Sequence, residues 1–339
     1  MTAGRRIRIG QLGIGHNHGA AKMATLRRLS EHFEVVGLAE PDPEWRRKRG
    51  TDPAYQGLPW LTEEQLLNTK GLQAVAVETD VPDLVPAAQR CVEAGLHLHL
   101  DKPGGEAMPP FRALLEAAER RGVTVQMGYM YRHNPALGFC LNAVHQGWLG
   151  QVFEVHCVMS RMDGADYRRW LSQFRGGAMY IFGGHLIDLV VSLLGKPERV
   201  TSYQRQTWPE KDDLFDNGLA VLEYPRATAT VRTAVVEFEG FRRRQFVVCG
   251  DEGTLDIRPI EPTWRDREPM RLHLALAHPH GPYPAGCQVV ELPIPAGRYD
   301  EQLVELAQII RGEKANPYAS AHELTVQQAL LEAAGYPQA

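Results

Sequence analysis

Ile7-Arg8-Ile9-Gly10-Gln11-Leu12-Gly13-Ile14-Gly15-His16-Asn17-His18-Gly19, near the amino terminus, decides the fold. A short apolar strand runs into glycines and then into a helical pattern over 20–30. Glycines at such a turn let the backbone approach a pyrophosphate at the positive end of the following helix. Gly13, Ile14 and Gly15 form the useful part, while the third glycine of the G-x-G-x-x-G pattern is replaced by His18, with Gly19 one position late. The pattern gains weight because it opens an alternating strand and helix order.

Working outward, apolar strands are expected at 7–12, 33–39, 74–77, 97–100 and 123–127, with helices at 20–30, 63–67, 84–94 and 110–121. Strands separated by helices predict a doubly wound parallel sheet, a Rossmann domain over residues 1–130. Beyond Gly150 strand patterns follow one another with only turns between them, at 152–159, 200–207, 219–224, 228–237, 245–249 and 254–257. This predicts an α+β domain over 131–339 with a large, mostly antiparallel open sheet. One glycine-opened apolar helix, 177–194, interrupts the strands, and 278–297 reads as a long loop rich in proline and glycine. Helices at 301–311 and 321–334 close the chain and are free to pack back on the first domain. The uncovered sheet face is expected to make a homodimer or homotetramer.

The 339 residues fit two domains at roughly 150 residues each. With 44% apolar and 23% charged residues, disordered, collagenous and disulfide-scaffold classes are excluded. The net charge of −4 comes from intermixed signs, which argues against nucleic-acid or membrane partners. No apolar stretch is read as reaching the ~18 residues of a membrane span, and the chain is expected in the cytoplasm. Cys91, Cys140, Cys157, Cys249 and Cys287 form no metal or disulfide pattern and read as reduced core thiols.

Three segments carry chemistry. The strand at 33–39 runs into Glu40, where a carboxylate meets adenosine ribose hydroxyls and repels a 2′-phosphate, so NAD is expected over NADP. Arg46, Arg47, Lys48 and Arg49 follow, most simply as a solvated helix face. The strand at 97–100 runs straight into Asp101-Lys102-Pro103, placing Lys102 at the carboxyl end of the sheet, with Pro103 restricting its backbone. Gly176-Gly177-Ala178-Met179-Tyr180-Ile181-Phe182-Gly183-Gly184-His185-Leu186-Ile187-Asp188 puts His185 and Asp188 on one helical face.

Together with Gly128-Tyr129-Met130-Tyr131-Arg132, these segments resemble the Gfo/Idh/MocA oxidoreductases over nearly the whole chain. The resemblance implies an NAD-dependent enzyme that oxidises a secondary hydroxyl of a sugar, sugar derivative or cyclitol. It assigns catalysis to Lys102 and His185, and cofactor contacts to Gly13, Ile14, Gly15, His16, His18, Glu40, Thr79, Asp101 and Lys102. Tyr129, Arg132, Arg161, Asp163, Tyr180 and Asp188 are the expected substrate contacts. Two other uses of the site stay open: a lyase or hydrolase that retains NAD and oxidises the sugar transiently, and a sensor that binds NAD or sugar without chemistry.

The chain departs from the family pattern in several places. Asp101 stands for the usual glutamate, and Ile181 stands four residues before His185, where an aspartate is usual. The usual Ala-Thr-Pro-Asn strand end reads Glu78-Thr79-Asp80-Val81-Pro82-Asp83. Glu78 and Asp80 either replace the lost carboxylate, bind substrate hydroxyls, or cap the next helix, and the last is the favoured reading. His16 and His18 read as donors to the cofactor or to backbone, and no metal is expected there. His278-Pro279-His280 is read as a loop dipeptide, and Arg242, Arg243 and Arg244 as a solvated strand edge.

Overall fold

The structure, a computed structural model, describes residues 6–261 and 269–337. The described residues divide into two compact units, 6–130 with 296–324, and 131–261 with 269–295 and 325–337. In the first, β1 (Ile7–Leu12), α1 (Gly19–Arg28), β2 (Phe33–Ala39), α2 (Pro43–Arg49), β3 (Trp60–Leu61), α3 (Glu63–Leu67), β4 (Ala74–Val77), α4 (Leu84–Glu93), β5 (His97–Leu100), α5 (Met108–Arg121) and β6 (Val125–Met127) follow one another. All strands pair in parallel in the order β3-β2-β1-β4-β5-β6. The order reverses between β1 and β4, the switch point at which such sheets bind ligands.

Local chemistry accounts for these elements. β4 reads Ala-Val-Ala-Val and is wholly buried, as a strand covered on both faces must be. α4 buries Leu84, Val85, Ala87, Ala88, Cys91 and Val92, an apolar stripe at helical spacing. α5 carries prolines in its first turn and closes on Gly122 at φ 65°, a left-handed cap. The Val123 amide still donates to the Ala118 carbonyl of that closing turn, so β6 begins later than the expected residue 123.

In the second unit come α6 (Pro135–His145), β7 (Val152–Ser160), α7 (Ala165–Leu171), α8 (Gly177–Leu194), β8 (Arg199–Arg205), β9 (Asn217–Glu223), β10 (Thr228–Ala234), β11 (Gln245–Gly250), β12 (Gly253–Ile257), β13 (Met270–Leu276) and β14 (Gly286–Leu292). They form an eight-stranded sheet of order β14-β13-β12-β11-β7-β10-β9-β8, antiparallel except where β7 meets β10. The loop expected at 278–297 therefore contains a strand. β14 is an edge strand with half its residues exposed, and prolines on both sides disguise it as loop.

α8 has the eighteen residues and the mean hydropathy, 1.6, of a membrane span, which corrects the reading that no stretch reaches that length. Gly177 through Val191 are nevertheless all buried, because the helix lies across β7, β9 and β10 as the core of its unit. α9 (Asp300–Ile310) belongs with the first unit, where Gln126 Nε2 donates to the Gln302 carbonyl and Gln302 Nε2 to the Met127 carbonyl. α10 (Ser320–Ala333) follows it.

Candidate functional site

The glycine turn lies at the switch point of the first sheet. Gly13 has φ +88°, and a Cβ there would meet the Thr79 backbone nitrogen at 2.4 Å; one on Gly15 would meet that of Asp80 at 2.7 Å. Only glycine allows the turn to lie so close to the end of β4. Glu40 is half-buried, and its carboxylate accepts the Ile14 amide at 2.6 Å and the Asp42 amide at 2.9 Å. Burial raises its pKa. Arg49 departs from the solvated-face reading: its Nη1 donates to the Gly15 and His16 carbonyls at 2.9 and 2.8 Å, and its Nη2 to Asn17 Oδ1 at 2.7 Å. It clamps the turn, whereas Arg46, Arg47 and Lys48 are exposed.

Beyond the turn, the ends of β4 and β5 gather a buried polar cluster. Asp101 is fully buried; its Oδ1 accepts the Lys102 amide at 2.8 Å, and its Oδ2 lies 3.0 Å from His18 Nδ1 and 3.4 Å from His16 Nδ1. Glu78 is also fully buried, with Oε2 at 3.6 Å from His16 Nδ1 and no hydrogen bond on either oxygen. It is not the helix cap expected of it; Asp80 is, accepting the Val81 amide at 2.8 Å. Burial and then the Asp101 charge push the Glu78 carboxyl well above the usual range. Burial acts upward on Asp101 too, but His16, His18 and Lys22 outweigh it and hold that carboxyl well below. Both histidines are lowered, chiefly by burial, and so is Lys102, to about 8. The Lys102–Pro103 peptide bond is cis.

Lys22 supports this cluster from beneath. It is fully buried on α1, hydrogen-bonds His99 Nε2 and Gln302 Oε1, sits 4.4 Å above the Tyr299 ring and 4.0 Å from Asp101 Oδ2. The tautomer follows: His99 Nε2 accepts from the ammonium, so Nδ1 carries the proton and donates to Gln126 Oε1 at 3.0 Å. Sequence reasoning missed this layer. The signals were a lysine on the inward stripe Gly19, Lys22, Met23, Leu26 of α1 and a histidine inside a central parallel strand.

In the second unit His185 is buried on α8, its ring 5.5 Å from that of Tyr131. The Tyr131 hydroxyl donates to Glu261 at 2.5 Å, and Glu261 accepts from Arg244 at 2.8 Å. Arg244 is thus wholly buried rather than part of a solvated edge, and this chain of contacts was not foreseen. Arg132 and Asp188, expected at the substrate, form a buried two-pronged ion pair at 2.5 and 2.9 Å. Tyr180, expected there too, is fully buried among Phe174 and Tyr336. Arg161 pairs with Asp163 at 2.6 Å, and Asp163 lines a cavity of about 340 Å³ with Arg168, Trp208 and Lys211. Tyr129 is buried in the first unit, and Ile181 is buried one turn before His185.

Residues 141–256 match the profile of the GFO/IDH/MocA C-terminal domain, which here covers α6 to β12. Over these residues the chain is similar to the Gfo/Idh/MocA oxidoreductases. It is 26% identical to the uncharacterized oxidoreductase YhhX of Escherichia coli, over 60% of this chain and 58% of that one. It is 28% identical to D-xylose 1-dehydrogenase (NADP(+)) 2 of Haloferax volcanii, over 75% of this chain and 77% of that one. The fold of aldose-aldose oxidoreductase from Caulobacter crescentus superposes with a TM-score of 0.78 at 20% identity, covering 95% of each chain. The sequence match to the first curated relatives, YhhX among them, spans about three fifths of their length.

The nicotinamide dinucleotide that this family implies fits the residues of the first unit. α1 opens with no side-chain cap and no acidic residue in its first turn, so its amino end is left for an anion. The glycine turn has no Cβ to obstruct it at Gly13 and Gly15, and Glu40 stands at the end of β2, where the family's ribose-binding carboxylate belongs.

Proposed function

We propose that this chain is an NAD-dependent dehydrogenase acting on a secondary hydroxyl of a sugar, sugar derivative or cyclitol in the cytoplasm. Bound NAD supplies the two-electron acceptor for the carbinol hydrogen. The glycine turn at Gly13, Ile14 and Gly15 and the amino end of α1 face its pyrophosphate, Glu40 meets its adenosine ribose, and Thr79 contacts the cofactor. Lys102 presents its ammonium to the developing alkoxide, and His185 takes the hydroxyl proton. The observation that carries this reading is Lys102 itself. It is buried at the carboxyl end of β5, with its amide fixed on Asp101, at the edge where Rossmann sheets do chemistry. Sugar-directed relatives such as the Haloferax xylose dehydrogenase support the substrate class. All five cysteines are free thiols, in keeping with a reducing compartment.

The test is a panel of sugars and cyclitols with NAD, read both as product and as NADH. Stoichiometric NADH with oxidised product supports the proposal. One observation favours a second reading: Ile181 removes the usual carboxylate beside His185, which suits an enzyme that keeps its NAD and returns the electrons. Sugar turnover without net NADH would establish that reading, and NAD binding with no turnover on any member of the panel would leave only a sensor. The open sheet is proposed to join copies of the chain as a dimer or tetramer, to be read by light scattering against the 37.9 kDa of one chain.

A further inference from the structure

Asp163, just beyond β7 in the second unit, makes an incomplete ion pair. Its Oδ1 takes a single prong of Arg161, from Nη2 at 2.6 Å. Among the described residues neither Asp163 Oδ2 nor Arg161 Nε has a hydrogen-bond partner, although both atoms are buried. The Arg132–Asp188 pair of the same unit uses both prongs. The Asp163 side chain is only 2% exposed, and burial pushes its carboxyl upward. A buried acceptor and a buried donor left open on one pair are costly, and a folded chain keeps such groups where something else satisfies them.

Asp163 lines the cavity of about 340 Å³ between α7 and the chain leading into β9, a size that takes a small ligand. Trp208 stands in its wall, with the Lys211 ammonium 3.8 Å from the ring centre. Arg168 is fixed there by Asp212 and Asp216, and Arg169 is paired with Asp166. The arginines around the cavity are thus matched by aspartates, which leaves little positive charge for an anion. Arg161 is enclosed by the rings of Tyr167, Phe182 and Phe241 at 5.1, 5.6 and 5.8 Å, and Phe182 stands one turn before His185 on α8.

We propose that Asp163 and Arg161 are the specificity contact for an uncharged sugar or cyclitol, reading two neighbouring hydroxyls of a ring seated in this cavity beside Trp208. A hydroxyl both donates and accepts, so a pair of them satisfies Oδ2 and Nε together. A carboxylate or phosphate only accepts, and it would meet repulsion at Asp163. The inference rests on the polyol-directed reading above. It adds that the ligand is neutral and that the second unit recognises it without NAD.

The experiment is calorimetric titration of the full chain, without NAD, using D-xylose, D-glucose, myo-inositol, D-glucuronate and glucose 6-phosphate as probes. At least one neutral probe should bind saturably and more tightly than both anions. Asp163→Asn, which puts a donor where Oδ2 accepts, and Trp208→Ala should each weaken that binding about tenfold or more. Trp208 is only half-buried, so its variant keeps the test alive if Asp163→Asn fails to fold. In the NADH assay both variants should raise KM more than they lower kcat, because the contact is made in ground and transition states alike. No saturable binding of any probe, a preference for the anions, or unchanged affinity in the folded variants overturns the proposal and leaves Oδ2 and Nε to water. Binding that the variants weaken, without NADH from any probe, keeps this site and removes the dehydrogenase reading. NADH turnover with KM unchanged in both variants keeps that reading and removes the site.

Discussion

Asp101 in the first unit and Asp188 in the second are both fully buried aspartates, yet they keep different company. Asp101 faces two histidines and a lysine across 3.0 to 4.0 Å, with Glu78 beside them. Asp188 is gripped by both prongs of Arg132. Other buried pairs of the second unit follow Asp188: Arg168 bridges Asp212 at 2.7 Å and Asp216 at 3.0 Å, and Arg244 holds Glu261. A guanidinium never gives up its proton and matches a carboxylate edge to edge, so these pairs are closed and serve architecture. Histidine, lysine and a raised glutamate exchange protons, so the first cluster is open to chemistry.

The largest effect that should separate the regions is on stability. Asp188→Ala removes the carboxylate that takes both prongs of the buried Arg132 guanidinium and should cost about 3–5 kcal/mol in denaturant unfolding. A loss below ~1 kcal/mol would mean that the pair is no clamp.

Acid provides the next contrast. His99 is held neutral down to about 3 by burial and then by Lys22, and burial lowers His97 as well. Their folded-state values lie below the ordinary ~6.5, so their contribution is fully present above that pH and drains away as the pH falls below it, toward about 3 for His99. Each such histidine costs at most about 1.4 kcal/mol per pH unit in that window. In the second unit the Arg168 hydrogen bond and the Arg243 hydrogen bond lower Asp212 and Glu237, so their contribution is lost only below the ordinary carboxylate range. Hydrogen exchange in EDTA at pH 7 and pH 5 should therefore show protection falling first in β5 and α1, and His99→Gln should lessen that fall. Equal loss in both units would erase the distinction.

A smaller effect concerns the cofactor. NAD should bind tighter than NADP, and Glu40→Ala should narrow the gap, as measured by titrating both dinucleotides. Wild-type protein that prefers NADP would show that Glu40, which accepts two backbone amides, serves the turn alone.

The sequence disclosed what periodicity and glycine encode. The strands at 7–12, 33–39, 74–77 and 97–100 and the helix at 177–194 stand at their expected bounds, because long apolar runs between turn signals have few alternatives. β3 has two residues and β14 is a half-exposed edge, so neither carries such a run. Within the site, Asp101 and Lys102 were visible because a charged pair abruptly ends an apolar strand. Lys22, Gln126 and Gln302 were not, since their meeting depends on α9 returning to a sheet almost two hundred residues earlier in the chain. The pairing of Arg132 with Asp188 was not legible either, since sequence shows charge but not the partner that satisfies it.

Lys102 and His185, rather than the arginine-paired groups, are the residues proposed to carry the chemistry. On a substrate identified from the panel, kcat should be measured for Lys102→Met, His185→Ala and Arg168→Lys, with NAD affinity measured alongside. Lys102→Met and His185→Ala should each lower kcat by roughly 10² or more, with NAD affinity nearly intact in His185→Ala, and Arg168→Lys should leave kcat close to wild type. Near wild-type turnover in both the lysine and the histidine variants would contradict the assignment and leave the family resemblance supporting only a fold and a cofactor.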